Sequence, residues 1–288
     1  MTEIIENTYN RFCCPLCELS NVSYIGDLKY LPPILFSSHE IELTRTPELW
    51  KCNVCYSWYT NNILPENTAA SLYKSGNSDN RWLQAPIEEG KSVEIIRLLS
   101  DIFKPGKKVL DIGCNTGEVL DFSKNRGCIT SGVEFSSTCH GQLREKGHEC
   151  FSDINEVNGK YDVIVVFDII EHLYNLPLFI DTCNNILSEN GLLLILTGDI
   201  HSLSARFCKS KWWYVNFPEH IIFPSKKYYQ SISGFRVSSW IKTYASLKFK
   251  QSFHLAIKGI LRNIYRRRYV GLPSIGSDHV LICLNKHN

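Results

Sequence analysis

The hydrophobic pattern changes character along the chain. From about residue 106 onward, short apolar segments alternate with amphipathic ones at the spacing of a parallel α/β sheet. The segment 161–167 (YDVIVVF) is almost continuously apolar, as expected for a strand buried on both faces. The pattern predicts strands at 108–112, 128–134, 149–152, 161–167 and 191–197, a closing pair at 235–244 and 279–285, and helices at 117–126, 137–146 and 177–188.

The residues before this repeat follow a different plan. Prolines at 32, 33 and 47 interrupt any long element in residues 1–60, which we interpret as a small separate domain. Residues 61–105 are typical of a helical connector. We therefore predict a third unit at 106–288, a Rossmann-like α/β domain with a seven-stranded sheet and a basic helical insertion at about 245–270.

Composition adds an uneven charge distribution. The 288 residues are 44% hydrophobic and 21% charged, which excludes a mostly disordered chain. The net charge is only +2, but residues 221–277 contain eleven Lys and Arg and no Asp or Glu. The rest of the chain carries 20 basic and 29 acidic side chains. An acidic body with a basic tail favours an anionic partner.

The basic tail contains a predicted amphipathic helix at 248–270. Its basic side chains recur every four residues, where like charges repel unless solvent or an anionic partner offsets them. Three interpretations remain open: a solvated lid over the sheet, a peripheral contact with anionic lipid, or a contact with RNA. The row consists of Lys250, His254, Lys258, Arg262 and Arg266.

The N-terminal sequence and the longest apolar runs indicate the compartment. Residues 1–6 (MTEIIE) lack the basic and apolar regions of a secretory signal, and no apolar run approaches the ~18 residues of a membrane span. We expect a cytoplasmic protein, with contact to the inner face of the membrane as an open alternative. Thiols stay reduced in that compartment.

Four of the twelve cysteines are regularly spaced. Cys14 and Cys17 form one C-x2-C pair, and Cys52 and Cys55 form a second pair 34 residues later. Two such knuckles can complete a tetrahedral set of four thiolates, which suits zinc, and closed sets of this kind are structural. We therefore predict one structural zinc ion, with Cys13 as a spare ligand.

A glycine-rich turn follows the first strand of the α/β region. In the segment 109–118 (VLDIGCNTGE), a strand enters the turn and a helix leaves it, so that backbone N–H groups face a ligand. Asp111 precedes the turn, and Glu134 ends the next strand. A carboxylate at that position can accept hydrogen bonds from both hydroxyls of a ribose.

These motifs resemble those of the class I S-adenosylmethionine-dependent methyltransferases. The resemblance spans about residues 85–285 and rests on DIGCNTG (111–117), GVE (132–134), SDI (152–154), FDIIEHL (167–173) and GLLLILTGD (191–199). It implies that Glu134 holds the ribose of S-adenosylmethionine. Asn115 stands where the family often has Gly, and Asn tolerates a positive φ. The other implied cofactor residues are Asp111, Gly113 and Cys114 at the methionine end, Phe135, Asp153 and Ile154 around the adenine, and Gly117 and Asp168.

Two histidines follow later strands, at the sheet edge where open α/β folds bind ligands. His172 belongs to FDIIEHL, and His220 follows Glu219 after an aromatic stretch. A base is needed to methylate a hydroxyl, so these three residues are the catalytic candidates. Which histidine is the base stays open.

The PEHI segment (218–221) together with FDIIEHL is similar to methyltransferases of bacterial sugar-nucleotide and surface-glycan pathways. This resemblance implies O-methylation of a sugar, a sugar nucleotide or a glycan precursor, with an anionic acceptor such as a sugar nucleotide or lipid-linked glycan. The paired knuckles are also similar to those of deoxysugar C-methyltransferases. The alternatives are C-methylation of a deoxysugar nucleotide and methylation of an RNA base. The sequence does not indicate an oligomeric state.

Overall fold

The computed structural model describes residues 2–30, 32–37, 39–75, 95–243 and 277–287. The basic helix expected at 248–270 lies outside these residues. No helix in the described ranges is long and apolar enough to cross a membrane.

The strands are β1 Glu3–Ile5, β2 Val22–Asp27, β3 Ile34–Phe36, β4 His39–Leu43, β5 Glu48–Cys52, β6 Trp58–Asn61, β7 Lys108–Ile112, β8 Ile129–Val133, β9 Glu149–Phe151, β10 Tyr161–Phe167, β11 Leu187–Gly198, β12 Ile222–Phe223, β13 Phe235–Thr243 and β14 His279–Lys286. The helices are α1 Glu66–Ser75, α2 Glu118–Lys124, α3 Ser137–Glu145, α4 Leu176–Ile186, α5 Leu203–Cys208 and α6 Lys226–Ser231.

A seven-stranded sheet forms the larger part of the fold. Its strand order is β13-β14-β11-β10-β7-β8-β9, in which β14 pairs antiparallel with both β11 and β13 and the remaining pairs are parallel. The central strand β10 is buried along most of its length, which explains its unbroken apolar sequence. The predicted α/β fold with a seven-stranded sheet is confirmed.

Strand and helix boundaries agree with the pattern, with one instructive exception. The predicted strands at 108–112 and 161–167 match β7 and β10 residue for residue. β11 begins at Leu187 and not at residue 191, because Leu187 pairs with Tyr161 before the register shifts and Leu192 pairs with Val163. The polar residues in between (188–190) hide this early start from a hydrophobicity pattern.

The N-terminal residues form two small sheets that contact the larger domain. The order is β1-β4-β3 in one sheet and β12-β6-β5-β2 in the other. β12 comes from the methyltransferase-like half of the chain and pairs antiparallel with β6, with Ile222 opposite Tyr59. The amide of Thr60 also donates to the carbonyl of Ile221 at 2.9 Å. The segment around His220 is therefore attached to the N-terminal sheet.

Candidate functional site

The turn between β7 and α2 has the backbone conformation that a ligand-binding loop needs. Gly113, Asn115 and Gly117 all have positive φ values, of 76°, 46° and 85°. A Cβ at Gly113 would collide with the side chain of Ile169, so glycine is required there for space as well as conformation. The φ of Asn115 is positive, a conformation that asparagine tolerates better than other non-glycine residues.

Glu134 lies directly beside this turn. One carboxylate oxygen, Oε2, accepts a hydrogen bond from the amide of Asn115 at 2.8 Å, and Oε1 accepts one from the amide of Ser136 at 2.8 Å. These bonds fix the half-buried carboxylate at the carboxyl edge of β8. Each oxygen of a carboxylate has a second lone pair, so Glu134 can still accept two ribose hydroxyls.

Asp111 and Cys114 contribute differently to the same turn. Asp111 is buried, and burial together with the nearby Glu134 charge raises the pKa of its carboxyl well above the usual range. An amino group bound next to it would supply the missing positive charge. The Cys114 side chain packs with Leu120 and Leu143 in a small apolar cluster, so only its backbone faces the turn.

The remaining residues of the implied cofactor site lie at the same sheet edge. Phe135, after β8, is 55% exposed. Asp153, after β9, caps the short helical turn that begins at Ile154, by accepting a hydrogen bond from the amide of Asn155 at 2.8 Å. Asp168 follows β10 with a φ of 52°, and its amide donates to Leu196.

The two predicted histidines contact each other. The ring centroids of His172 and His220 are 4.8 Å apart with an interplanar angle of 84°. Nδ1 of His220 lies 2.6 Å from the carbonyl of Tyr214, and Nδ1 of His172 lies 3.0 Å from the carbonyl of Glu219. Because a carbonyl can only accept, each Nδ1 carries a proton, so Nε2 is the nitrogen of each ring that could accept one.

Glu219 acts on this pair mainly through its backbone. Its carbonyl orients His172, while its carboxylate accepts a hydrogen bond from Asn216 at 3.0 Å. This geometry supports a positioning role for Glu219 toward His172.

Glu171 is a buried acid behind the histidine pair that the sequence pattern did not single out. Its Oε1 accepts a hydrogen bond from the hydroxyl of Tyr214, and its Oε2 accepts one from Thr197 at 3.1 Å. Burial, with added repulsion from Asp168, raises the pKa of Glu171 to about 8. The sequence showed that Glu171 follows a strand and that residues 212–214 are aromatic, but not that Glu171 and Tyr214 are in contact.

The histidine pair and Glu171 also have the residue types of a metal site. Ligand atoms of Glu171, His172 and His220 lie within 4.8 Å of one another. One carboxylate and two imidazoles are a set that divalent cations accept. Both oxygens of Glu171 also accept hydrogen bonds, from Tyr214 and Thr197, so a bound cation would share this carboxylate with two hydroxyl groups.

Replacing Glu171 by glutamine is expected to change how stability depends on pH. The folded protein keeps the Glu171 proton up to about pH 8, whereas the unfolded chain loses it near the ordinary pKa of 4.5. The free energy of unfolding of the wild type should therefore fall as the pH rises between these values and level off above pH 8. In Glu171→Gln this decline should be smaller, in thermal unfolding measured at a series of pH values.

An exposed acid provides the control for this measurement. Glu189→Gln removes one carboxylate of β11 and should leave the wild-type pH dependence in place. Parallel unfolding curves for the wild type and Glu171→Gln across this pH range would contradict the prediction.

A second acid–imidazole pair, Asp278 and His279, was also missed. Nδ1 of His279 lies 3.1 Å from Oδ1 of Asp278, and Nε2 lies 3.9 Å from Oδ1 of Asp168. β14 runs antiparallel to its neighbour β11, so its first residues lie at the carboxyl edge of the parallel strands. The antiparallel direction of β14 is the feature from which this position could have been predicted. It places the buried His279 beside Asp168.

The four predicted cysteine ligands are brought together. The sulfurs of Cys14 and Cys55 are 3.6 Å apart, those of Cys17 and Cys52 are 3.5 Å apart, and all four lie within 4.8 Å. A tetrahedral zinc with bonds of about 2.3 Å separates its sulfurs by about 3.8 Å. The hydrogen bond between the Cys14 and Cys55 sulfurs, with further bonds from Ser57 and Cys17, lowers the pKa of Cys55, and the same bond raises the pKa of Cys14 well above its usual range. Cys13 is not part of the cluster.

Comparison with known proteins identifies the family. The profile described as a methyltransferase domain matches residues 85–233, which is just over half of the chain. The chain belongs to the methyltransferase domain family. A ubiquinone biosynthesis O-methyltransferase from Glaesserella parasuis serovar 5 is 30% identical over 111 residues, 32% of this chain and 45% of that protein. An (S)-coclaurine N-methyltransferase from Papaver somniferum is 28% identical over 136 residues, 42% of this chain and 38% of that protein.

Solved structures of methyltransferases share the fold. The magnesium protoporphyrin IX methyltransferase of Synechocystis PCC 6803 with bound SAM has a TM-score of 0.51 at 12% identity, covering 79% of this chain and all of that chain. The coclaurine N-methyltransferase bound to N-methylheliamine and SAH has the same TM-score at 14% identity, covering 70% of this chain and 75% of that chain. The present chain spans less than half the length of the curated relatives named above.

Proposed function

We propose that the protein is an S-adenosylmethionine-dependent methyltransferase that methylates a hydroxyl of a sugar, a sugar nucleotide or a related glycan precursor. The observation that carries this proposal is the pair of imidazoles at the carboxyl edge of the same sheet that carries the glycine turn and Glu134. Family membership supports the reaction class.

When bound, S-adenosylmethionine supplies a methyl group activated by the sulfonium. Glu134 would hold the ribose of the cofactor and Asp111 its amino group, and Gly113 keeps the turn free of a side chain. His220 accepts the proton of the acceptor hydroxyl on Nε2, because its Nδ1 proton is committed to the Tyr214 carbonyl. His172 lies against the same ring and orients it.

The choice of a hydroxyl rests on the need for a base. A neutral amine already has a lone pair for attack, whereas a hydroxyl becomes a good nucleophile as its proton leaves, so two positioned imidazoles favour O-methylation. The relatives named above include both an O- and an N-methyltransferase, with different acceptors in their names. The eleven uncompensated basic residues of 221–277 support an anionic acceptor, first a sugar nucleotide or lipid-linked glycan.

We also infer that the four-cysteine cluster binds one structural zinc ion and that the protein works in the cytoplasm. The sulfur spacing and the hydrogen bonds to Cys52 from the amides of Val54 and Cys55, at 3.3 and 3.4 Å, support thiolates at this site. A closed set of four protein ligands leaves no position for a substrate, so the metal would stabilise the fold.

Replacing Glu134 by alanine is expected to weaken S-adenosylmethionine binding by at least about tenfold. Hydrogen bonds to a charged group contribute about 1.5–3 kcal/mol each, and the variant loses those to the ribose. Titration calorimetry of the purified protein measures this directly. Glu149→Ala is the control. Glu149 is the first residue of the neighbouring strand β9 and lies toward the amino ends of the parallel strands, away from the glycine turn at their carboxyl ends.

The acceptor class needs a separate experiment. A methyl-transfer screen over nucleotide sugars, lipid-linked glycans and bulk RNA is expected to give product with the first two classes. Transfer to RNA alone, with an affinity that falls steeply with salt, would replace the proposed acceptor by RNA. Binding to anionic vesicles would support a peripheral membrane contact through residues 248–270. No binding of S-adenosylmethionine to the wild type would overturn the reaction class itself.

A further inference from the structure

Arg11 is a buried arginine in the N-terminal part of the fold. Only 7% of it is exposed, and neither terminal nitrogen, Nη1 or Nη2, has a hydrogen-bond partner. Asn61 holds its backbone from both directions: the Arg11 amide donates to Oδ1 of Asn61 at 2.7 Å, and Nδ2 of Asn61 donates to the Arg11 carbonyl at 3.2 Å. The fold therefore fixes where this side chain begins.

The surroundings of Arg11 are aromatic. The guanidinium carbon lies 5.7 Å from the ring centroid of Tyr9 and 5.9 Å from that of Tyr174. Burial lowers the pKa of Arg11. The opposing influences come from Tyr9, which also acts through a side-chain hydrogen bond, and from Tyr174 and Tyr59, and not from a carboxylate. The hydroxyl of Tyr59 is also buried without a hydrogen-bond partner.

This arrangement is unfavourable for the protein alone. A buried charge is normally paired and fully hydrogen-bonded, and leaving it otherwise is costly. Contacts with aromatic ring faces compensate only part of that cost. In the described part of the chain, no ion pair involves Arg11. An oxyanion would supply the negative charge and the hydrogen-bond acceptors that the Arg11 guanidinium lacks.

Arg11 also lies next to the loops that carry the histidine pair. Tyr174 follows His172 by two residues, and its hydroxyl donates to the carbonyl of Leu64 at 2.8 Å. The amide of Ile221, the residue after His220, donates to the carbonyl of Glu171 at 2.8 Å. The first bond joins the His172 loop to the segment just after β6, and the second joins the two histidine loops to each other. The bond from the Thr60 amide to the Ile221 carbonyl attaches the His220 loop to β6, the strand that also carries Asn61.

We propose that Arg11, flanked by Tyr9 and Tyr174, is the subsite for an oxyanion of the acceptor, a phosphate ester or a carboxylate. A guanidinium presents parallel N–H donors that match two oxygens of either group. Tyr9 is 45% exposed, so its ring is the part of the enclosure that an entering anion displaces. The subsite rests on the proposed function, because it assigns a role within acceptor binding.

Titration calorimetry with inorganic pyrophosphate and with benzoate tests the subsite and distinguishes the two oxyanions. The wild type is expected to bind at least one of them, and Arg11→Met to bind it at least about tenfold more weakly. Arg11→Lys, which keeps the charge but not the fork of donors, should recover part of the affinity. Arg126→Met is the matched control, since Arg126 also lies over an aromatic ring, that of Phe122, at 5.6 Å.

Thermal unfolding provides a readout that a purely structural role would not share. Removing an uncompensated buried charge should leave the melting temperature of ligand-free Arg11→Met unchanged or higher, whereas a structural arginine would lower it. If Arg11→Met does not fold, Arg11→Lys carries the affinity test. Equal affinity in the wild type and both Arg11 variants, or no binding of either anion, would overturn the subsite. S-adenosylmethionine affinity measured in parallel tests the proposed function independently.

Discussion

Replacing His220 by alanine is expected to lower the turnover number by about 10²–10⁴-fold, the usual contribution of a positioned general base. Nδ1 of His220 donates its proton to the Tyr214 carbonyl, so Nε2 is the ring nitrogen that can accept the proton of a hydroxyl. The affinity for S-adenosylmethionine should not change, because His220 comes after β11 in the chain whereas the glycine turn follows β7. Steady-state kinetics on the acceptor found by screening, with calorimetry for the cofactor, provide both measurements.

The neighbouring histidine makes this experiment decisive. His172→Ala removes the ring that packs against His220 at 4.8 Å but leaves the Tyr214 carbonyl bond in place. It should therefore cost less activity than His220→Ala and leave the shape of the pH–rate profile unchanged. His39→Ala, on β4 of the small three-stranded sheet, should be neutral. A His220→Ala enzyme with wild-type turnover, or a larger loss in His172→Ala, would reject His220 as the base.

The central part of the fold could be predicted from the sequence because burial and backbone conformation restrict the residue types there. Strands β7 and β10 are buried on both faces, so their apolar runs mark them with correct ends. The glycine turn was equally clear, since positive φ angles restrict residue type, and Asn115 satisfied that restriction. Local sequence sufficed wherever the constraint was local.

The parts that were not predicted depend on contacts between distant segments. The bonds of Glu171 to Tyr214 and Thr197 join three segments, and each residue alone is unremarkable in the sequence. The same holds for Arg11, whose partner Asn61 lies 50 residues away. The pairing of β6 with β12 is only two residues long and leaves no pattern. A hydrophobic period reports which face of an element is buried, but not what it meets.

That short pairing leads to an expectation about the zinc site. Substituting Cys52 by serine is expected to remove zinc from the purified protein and to lower its melting temperature strongly. Structural zinc contributes an apparent free energy of about 10–16 kcal/mol in isolated zinc-finger peptides, so losing one of four thiolates should unfold the N-terminal sheets. Metal analysis should give one zinc per chain in the wild type and well below one in Cys52→Ser. Cys13→Ser is the matched control, because Cys13 adjoins a ligand but lies outside the cluster.

The effect of zinc loss should extend to catalysis. Ser225 bonds to the Cys55 carbonyl and to the Ser57 hydroxyl, and Thr60 bonds to Ile221, the residue after His220. Loss of the cluster should therefore release the segment that positions His220. The glycine turn follows β7, which lies between β10 and β8 on the other side of the centre of the large sheet, so it should be unaffected. Cys52→Ser should lose acceptor turnover and retain cofactor binding. If the wild type contains no zinc, or if cofactor affinity falls as steeply as turnover, the cluster does not serve the acceptor site in this way.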